Sequence, residues 1–277
     1  MSNSSMRLNI SGIHSKQPWF VLDSKQFLTH LTTEHPQVSH FYSFKAGDST
    51  APTTVIPDAC IDIVIDCDKS NQGAFIYGTS LEASSVSFER GHRYFGVRLI
   101  PGITPDYLHI SAGELIGKSY RLQDVMPNSE QLVDRIINCG KFTEQVAAVN
   151  HFLKFKSPRK ATRLTEQLVA KINQHHGNIQ VQDLEKYSGY TRKTLQRKFK
   201  EDLGISPKIF SRTIRCQSAV YGIHHTDNMQ FTDMASDLGF SDQSHFLREF
   251  KKLVSTTPLK YQKQIKNKTY LERISCY

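Results

Sequence analysis

Between residues 38 and 100 the apolar positions fall in short β-type runs, IDIVID (61–66), AFIYG (74–78) and YFGVRLI (94–100), separated by turn-forming residues. This pattern predicts a small antiparallel sheet or barrel. Past Pro101 the spacing changes to threes and fours, which predicts helices over 105–109, 130–138 and 143–155. In the last of these Val146, Val149, Phe152 and Leu153 share one face. The stretch KFKSPRKATR (154–163) carries charge and a proline without apolar periodicity, and a domain boundary is expected there. Everything beyond reads as helical, beginning with 165–175, where Leu168 and Ile172 point inward and Gly177 supplies the stop. The fold class expected is therefore α+β. An N-terminal small antiparallel β domain closed by helices (1–156) precedes an all-α domain (157–265) and a short basic tail (266–277). A chain of 277 residues, 38% hydrophobic, has material for two domains with separate cores.

The helical part contains one unit twice. In the segments beginning at Ile179 and Met229, Asp183 corresponds to Asp233, Leu184 to Met234, Gly189 to Gly239 and Tyr190 to Phe240. After one inserted residue Arg197 corresponds to Arg248, Phe199 to Phe250, Lys200 to Lys251, Pro207 to Pro258 and Phe210 to Tyr261. Each copy has the order of a helix-turn-helix, over about 179–200 and 229–252: a short apolar helix, a glycine turn, a capping residue, and a second helix with a charged outer face. In the first copy Thr191 caps, Leu195 and Phe199 point inward, and Lys193, Gln196, Arg197 and Lys200 share the opposite face. In the second, Ser241 or Asp242 caps, Phe246 and Phe250 point inward, and Ser244, Leu247, Arg248 and Lys251 face out, with Gln243 beside their start. Between the copies Ser206 and Pro207 open a connector helix running to about His224, a rigid spacer between the two outer faces.

Charge sharpens this picture. Residues 151–277 hold 23 Lys+Arg against 11 Asp+Glu, a net +12, whereas residues 1–150 hold 12 against 15, a net −3. A positive field confined to the helical half attracts polyanions, nucleic acid before an anionic membrane. Arg and Lys can donate to guanine O6 and N7 and Gln can bond adenine, so the duplicated faces fit base edges in the major groove of double-stranded DNA. Thr191, Arg192, Lys193, Gln196, Arg197, Lys200, Gln243, Ser244, Leu247, Arg248 and Lys251 form the expected contact set. A single amphipathic helix would carry little weight, because a charged stripe is an ordinary solvated face. Two tandem copies with matching turns, caps and core positions make the bland reading remote.

The segments GYTRKTLQRKFKEDLGISP and DMASDLGFSDQSHFLREFKK, with Arg215 and Ala219 in the connector and Thr257-Pro258 after the second unit, resemble the AraC/XylS family of bacterial transcription activators over roughly 164–261. The resemblance implies a sequence-specific activator that contacts DNA, and RNA polymerase as a further partner. It points to Lys193, Gln196, Arg197, Gln243, Ser244 and Arg248 as base or backbone contacts. Three positions depart from the family pattern: Ser255 stands where glycine is usual, Gly222 where leucine is usual, and Leu247 faces out where a polar residue is commoner. In the N-terminal part, DACIDIVID and YFGVRLIPGITPDYL resemble the sensor-type domain that precedes such units, implying a cupin-like β domain that binds an effector, forms a homodimer, or both.

No catalytic site is expected. His40 and His92 are isolated, without the clustered His and carboxylate ligands of a metal-dependent cupin enzyme, and no metal or cofactor is expected. The His175-His176 and His224-His225 pairs put neighbours on different helix faces. Alternation places Asp62, Asp66 and Asp68 on one strand face, read as solvated, beside Asp58. Five cysteines, an odd number without metal spacing, read as free thiols. Aromatic residues from Trp19 to Phe95 either fill the β core or line an apolar pocket for an unknown small-molecule effector, with Tyr77, Arg93 and Arg98 as candidate contacts. No stretch reaches the roughly 18 apolar residues that span a bilayer, and the start lacks a secretory signal, so a cytoplasmic, nucleoid-associated protein is expected. The rival reading is a non-specific architectural DNA-binding protein in which the basic tail outweighs the repeated helices.

Overall fold

The computed structural model describes residues 17–32, 34–48, 51–68, 73–156, 161–226, 230–267 and 273–277. The start of the chain, the centre of the 154–163 linker, position 229 and residues 268–272 of the tail lie outside the described residues.

A short helix α1 (Pro18–Asp23) leads into β1 (Ser24–Leu31) and β2 (Val38–Ala46). Then come β3 (Thr53–Val55), β4 (Asp62–Asp66), β5 (Ala74–Tyr77), β6 (Ser84–Val86) and β7 (Arg93–Leu99). Helix α2 (Ala112–Leu115), β8 (Ser119–Arg121), α3 (Leu122–Val125), α4 (Ser129–Asn138) and α5 (Phe142–Leu153) follow. Six strands of the main sheet run β8-β5-β4-β7-β2-β1 with every neighbouring pair antiparallel, and β3 pairs with β6 in a separate ribbon. The antiparallel domain expected from the alternating runs is therefore present.

Its central strands are buried on both faces, which explains why they read as apolar runs rather than clean alternation. Phe41, Phe95, Val97 and Leu99 face a core closed by α4 and α5 through Ile136, Val146, Val149 and Leu153. Tyr42, Phe44 and Tyr94 face the other way. Gly96 on β7 makes that second face possible: the Tyr42 ring lies where its Cβ would be. One predicted helix is missing, since 105–109 forms only a turn, closed by Leu108 N–H to Pro105 C=O at 3.1 Å.

The remaining helices are α6 (Arg163–Gln174), α7 (Val181–Ser188), α8 (Arg192–Leu203), α9 (Pro207–His225), α10 (Phe231–Asp237), α11 (Gln243–Val254) and α12 (Pro258–Asn267). The first three and the start of α9 enclose one core, with Leu168, Ile172, Leu184, Leu195, Phe199 and Phe210. The second unit differs from the expectation of a separate core. Val220, Met234, Phe246, Phe250 and Tyr261 belong to the same apolar cluster as Phe20, Tyr42 and Phe44 of the β domain. Trp19 meets Tyr261 edge-on at 5.6 Å, Gln217 Nε2 donates to Pro57 C=O at 2.8 Å, and Lys252 pairs with Glu82 at 2.7 Å.

The end of the chain also returns to the sheet. Strand β9 (Ile274–Cys276) lies parallel to β1, and Arg273 Nη1 donates to Ser24 C=O at 2.8 Å. Arg273 is thereby held by backbone carbonyls of the β domain.

Candidate nucleic-acid interface and sensor cavity

In the first unit α7 ends at Gly189, whose φ of 73° is the left-handed value that turns the chain into the next helix. Thr191 caps α8 by accepting from Thr194 N–H at 3.5 Å. Leu195 and Phe199 then fall on the buried side, both fully enclosed, and Thr191, Arg192, Lys193, Gln196, Arg197 and Lys200 are exposed. Arg197 is not wholly free, because it pairs with Glu201 one turn on at 2.8 Å, and that arginine and Lys198 hold the Glu201 carboxyl below its ordinary value. Both partners are about half exposed and screened by water, so the pair is weak and Arg197 is readily released to another acceptor.

The second unit repeats this geometry. Gly239 has φ 69°, and Asp242 rather than Ser241 is the cap, accepting from His245 N–H at 2.7 Å. Phe246 and Phe250 are buried while Gln243, Ser244, Arg248 and Lys251 are exposed. Leu247 differs from its expected outward position: it is half-buried and packs against the core shared with the β domain. Ser255 closes α11 with φ 61°, so the left-handed conformation is kept without glycine. At the turn of the first unit Tyr190 is exposed, whereas its counterpart Phe240 is covered by the Arg215 guanidinium, 4.9 Å from the ring centre. That difference is invisible in an offset comparison of the two copies.

The β domain holds a cavity of about 160 Å³. Tyr77 and Arg98 line it, with Phe20, Val64 and Phe88 as apolar wall, while Arg93 is exposed at the start of β7 and takes no part in the lining. The acidic set is not a solvated face. Asp62 and Arg98 are paired across β4 and β7, and Arg98 donates twice to Asp62, at 2.9 and 2.8 Å, while Nη1 lies 3.2 Å from Asp58. Tyr42 OH donates to Asp62 at 2.9 Å and Gln17 Nε2 to Asp58 at 2.8 Å. Burial alone would push the Arg98 guanidinium down, but the carboxylates of Asp62 and Asp58 hold it well above the ordinary arginine value. Burial pushes Asp58 up, against the opposing pull of Arg98. Asp66 is likewise buried and hydrogen-bonded to His92 Nδ1 at 2.8 Å, which raises the histidine. The alternation rule put these carboxylates on one face correctly but could not supply their partners, which arrive from a strand some thirty residues away.

Residues 184–264 match a helix-turn-helix domain model, and residues 35–121 match a model described as a domain of unknown function. A Staphylococcus aureus protein described as an uncharacterized HTH-type transcriptional regulator is 26% identical over 167 residues, covering 56% of this chain. The chain spans only 22% of that relative's length. A Haemophilus influenzae protein of the same description is 22% identical over 274 residues, covering 91% of this chain and 85% of the relative. Among solved structures, ToxT from Vibrio cholerae aligns with 87% of this chain and 99% of its own at 14% identity and a TM-score of 0.43. The helix-turn-helix match lies in the second half of the chain, after the β domain and its cavity. No helix among the described residues is long and apolar enough to cross a membrane.

Proposed function

We propose that this protein is a sequence-specific transcription regulator that inserts α8 and α11 into successive major-groove segments of one duplex. The observation that carries this reading is the duplicated surface: α8 buries Leu195 and Phe199, α11 buries Phe246 and Phe250, and the opposite faces expose Lys193, Gln196, Arg197 and Lys200 in the first and Gln243, Ser244, Arg248 and Lys251 in the second. Arg197 and Arg248, at equivalent positions of the repeat, have the donor geometry for guanine, and Gln196 and Gln243 suit adenine. Helix α9, 19 residues long, joins the two units and would hold the recognition helices at one separation. The regulator acts as an activator through contact with RNA polymerase, and the cavity of the β domain takes a small effector.

The cavity favours an effector that is uncharged or carries a donor, because Arg98 already has two carboxylate partners. Occupancy alters DNA binding only as far as the effector distinguishes two arrangements of the domains. Sequencing of genomic fragments retained by the purified protein at physiological salt tests the central reading. An asymmetric motif of two segments about 34 Å apart, one helical turn, is the expected result. Retention of all fragments alike, with and without cell extract, would establish an architectural protein instead.

A further inference from the structure

The β-domain cavity has a polar floor and an apolar roof. On the floor Arg98, Asp62, Tyr77 and Ser119 are paired laterally across β7, β4, β5 and β8, so they stand in one row on one face of the main sheet. The roof comes from α1, the β3–β6 ribbon and the residue two places after it, which bring Phe20, Val55, Val86 and Phe88. The enclosed charges do not cancel. Asp58 and Asp62 share one guanidinium, that of Arg98, and the other cation of the lining, Lys118, is exposed past the end of α2. Tyr77, whose hydroxyl burial pushes up, and Cys60, whose backbone N–H donates to Asp58 at 2.9 Å, add no positive charge. The hydroxyls of Thr79, Ser80, Ser84 and Ser85 are uncharged. Burial pushes Asp58 up even against Arg98, and the neighbouring Asp62 adds to the rise, which is the sign of a site short of a cation.

Asp62 keeps 14% of its side chain accessible, against 5% for Asp58 and 3% for Arg98, so among these three it is the group an occupant reaches. An anion entering the cavity would meet that carboxylate before the enclosed guanidinium. A volume of about 160 Å³ lies below the roughly 300–1,000 Å³ common to ligand sites, so the occupant is compact. The geometry points to a compact organic ammonium ion, its N–H groups donating to the Asp62 carboxylate and its apolar body lying against Tyr77, Val86 and Phe88, each half-buried in the lining. The assignment rests on the reading of this cavity as the effector site and names the class of effector. Aromatic faces beside the carboxylate add cation–π attraction. Selectivity follows from the same excess charge, which a neutral or anionic ligand of equal shape leaves uncompensated.

Calorimetric titration of the full chain, without DNA and at neutral pH, with benzylamine tests the proposal. Benzyl alcohol supplies the same body without charge, benzoate the opposite charge, and ammonium chloride the charge without a body. The expected result is saturable 1:1 binding of benzylamine, with the other three weaker by roughly tenfold or more. Asp62→Asn should weaken benzylamine by roughly tenfold or more while changing benzyl alcohol by less than about threefold. Val86→Phe, on the roof and away from the ion cluster, fills the cavity and should abolish benzylamine binding, with a thermal melt confirming that each variant remains folded. Benzyl alcohol or benzoate binding as tightly as benzylamine, and blocked by Val86→Phe, overturns the ammonium assignment while leaving the effector cavity standing. Absence of saturable binding by every probe overturns the assignment and counts against the cavity itself. Benzylamine binding indifferent to both substitutions places the probe elsewhere and overturns the assignment as well.

Discussion

Replacing Arg98 by methionine removes the cation that pairs with both Asp58 and Asp62 in a buried cluster and leaves the two carboxylates facing each other. Arg98 is 3% exposed, with Asp62 bonded to it by two hydrogen bonds and Asp58 3.2 Å away. Methionine keeps an aliphatic stem of similar length, so the dominant loss is electrostatic. Breaking a buried ion pair by deleting one partner costs about 3–5 kcal/mol, because the stranded charge is neither hydrated nor paired. The variant can lower that cost by keeping Asp58 protonated, which its raised position already favours. A carboxyl that binds its proton more tightly when folded loses stability as pH rises from the unfolded value, about 3.9, through the raised folded value. Loss of Arg98 raises the folded value further and widens that window. Urea unfolding of wild type and Arg98→Met at pH 5 and pH 8 should therefore show the larger deficit at pH 8, about 3 kcal/mol or more. Adding Asp58→Asn and Asp62→Asn to the same chain should recover most of it. A deficit below about 1 kcal/mol, or one that does not change with pH, would mean that solvent reaches the cluster and that the burial argument is wrong.

Alanine at Arg197 or Arg248 should cost about 1–3 kcal/mol in DNA binding and relax discrimination at one operator position, whereas Lys200→Ala should weaken all sequences alike and flatten the salt dependence, as competition against permuted sites will show. Ser255→Gly should raise stability modestly, since relief of about 1–2 kcal/mol at φ 61° exceeds the roughly 0.4–1 kcal/mol of added unfolded-chain entropy; a lower melting temperature would contradict this. Asp66 raises His92, so their bond contributes stability that is fully present below the ordinary histidine value, about 6.5, and is lost as pH rises through the elevated one. His92→Gln should remove that fall from a stability profile measured between pH 5 and 9, and an unchanged profile would assign the titration to another group.

The parts of this molecule that depend on neighbours three or four residues apart were legible in the sequence. The two helix-turn-helix copies, the glycine turns at 189 and 239, the caps Thr191, Asp242 and Ser206, and the exposed basic faces all follow from local spacing, since helix periodicity and capping are settled within a turn or two. The failures were of two kinds. The helical spacing at 105–109 was not enough to specify a helix, and the segment forms only a turn. Leu247 satisfied the outward spacing yet was drawn half under cover by a partner surface that its own helix does not encode. Beyond these, tertiary structure decided what long-range register and packing decide. Pairing β4 against β7 turned a row of aspartates into a charge cluster around Arg98. Contacts such as Trp19 on Tyr261, Gln217 on Pro57 and Lys252 on Glu82 joined the second unit's core to the β domain. Periodicity states which face of an element is apolar; only the folded chain determines which surface covers it, because that choice rests on contacts between residues far apart in sequence.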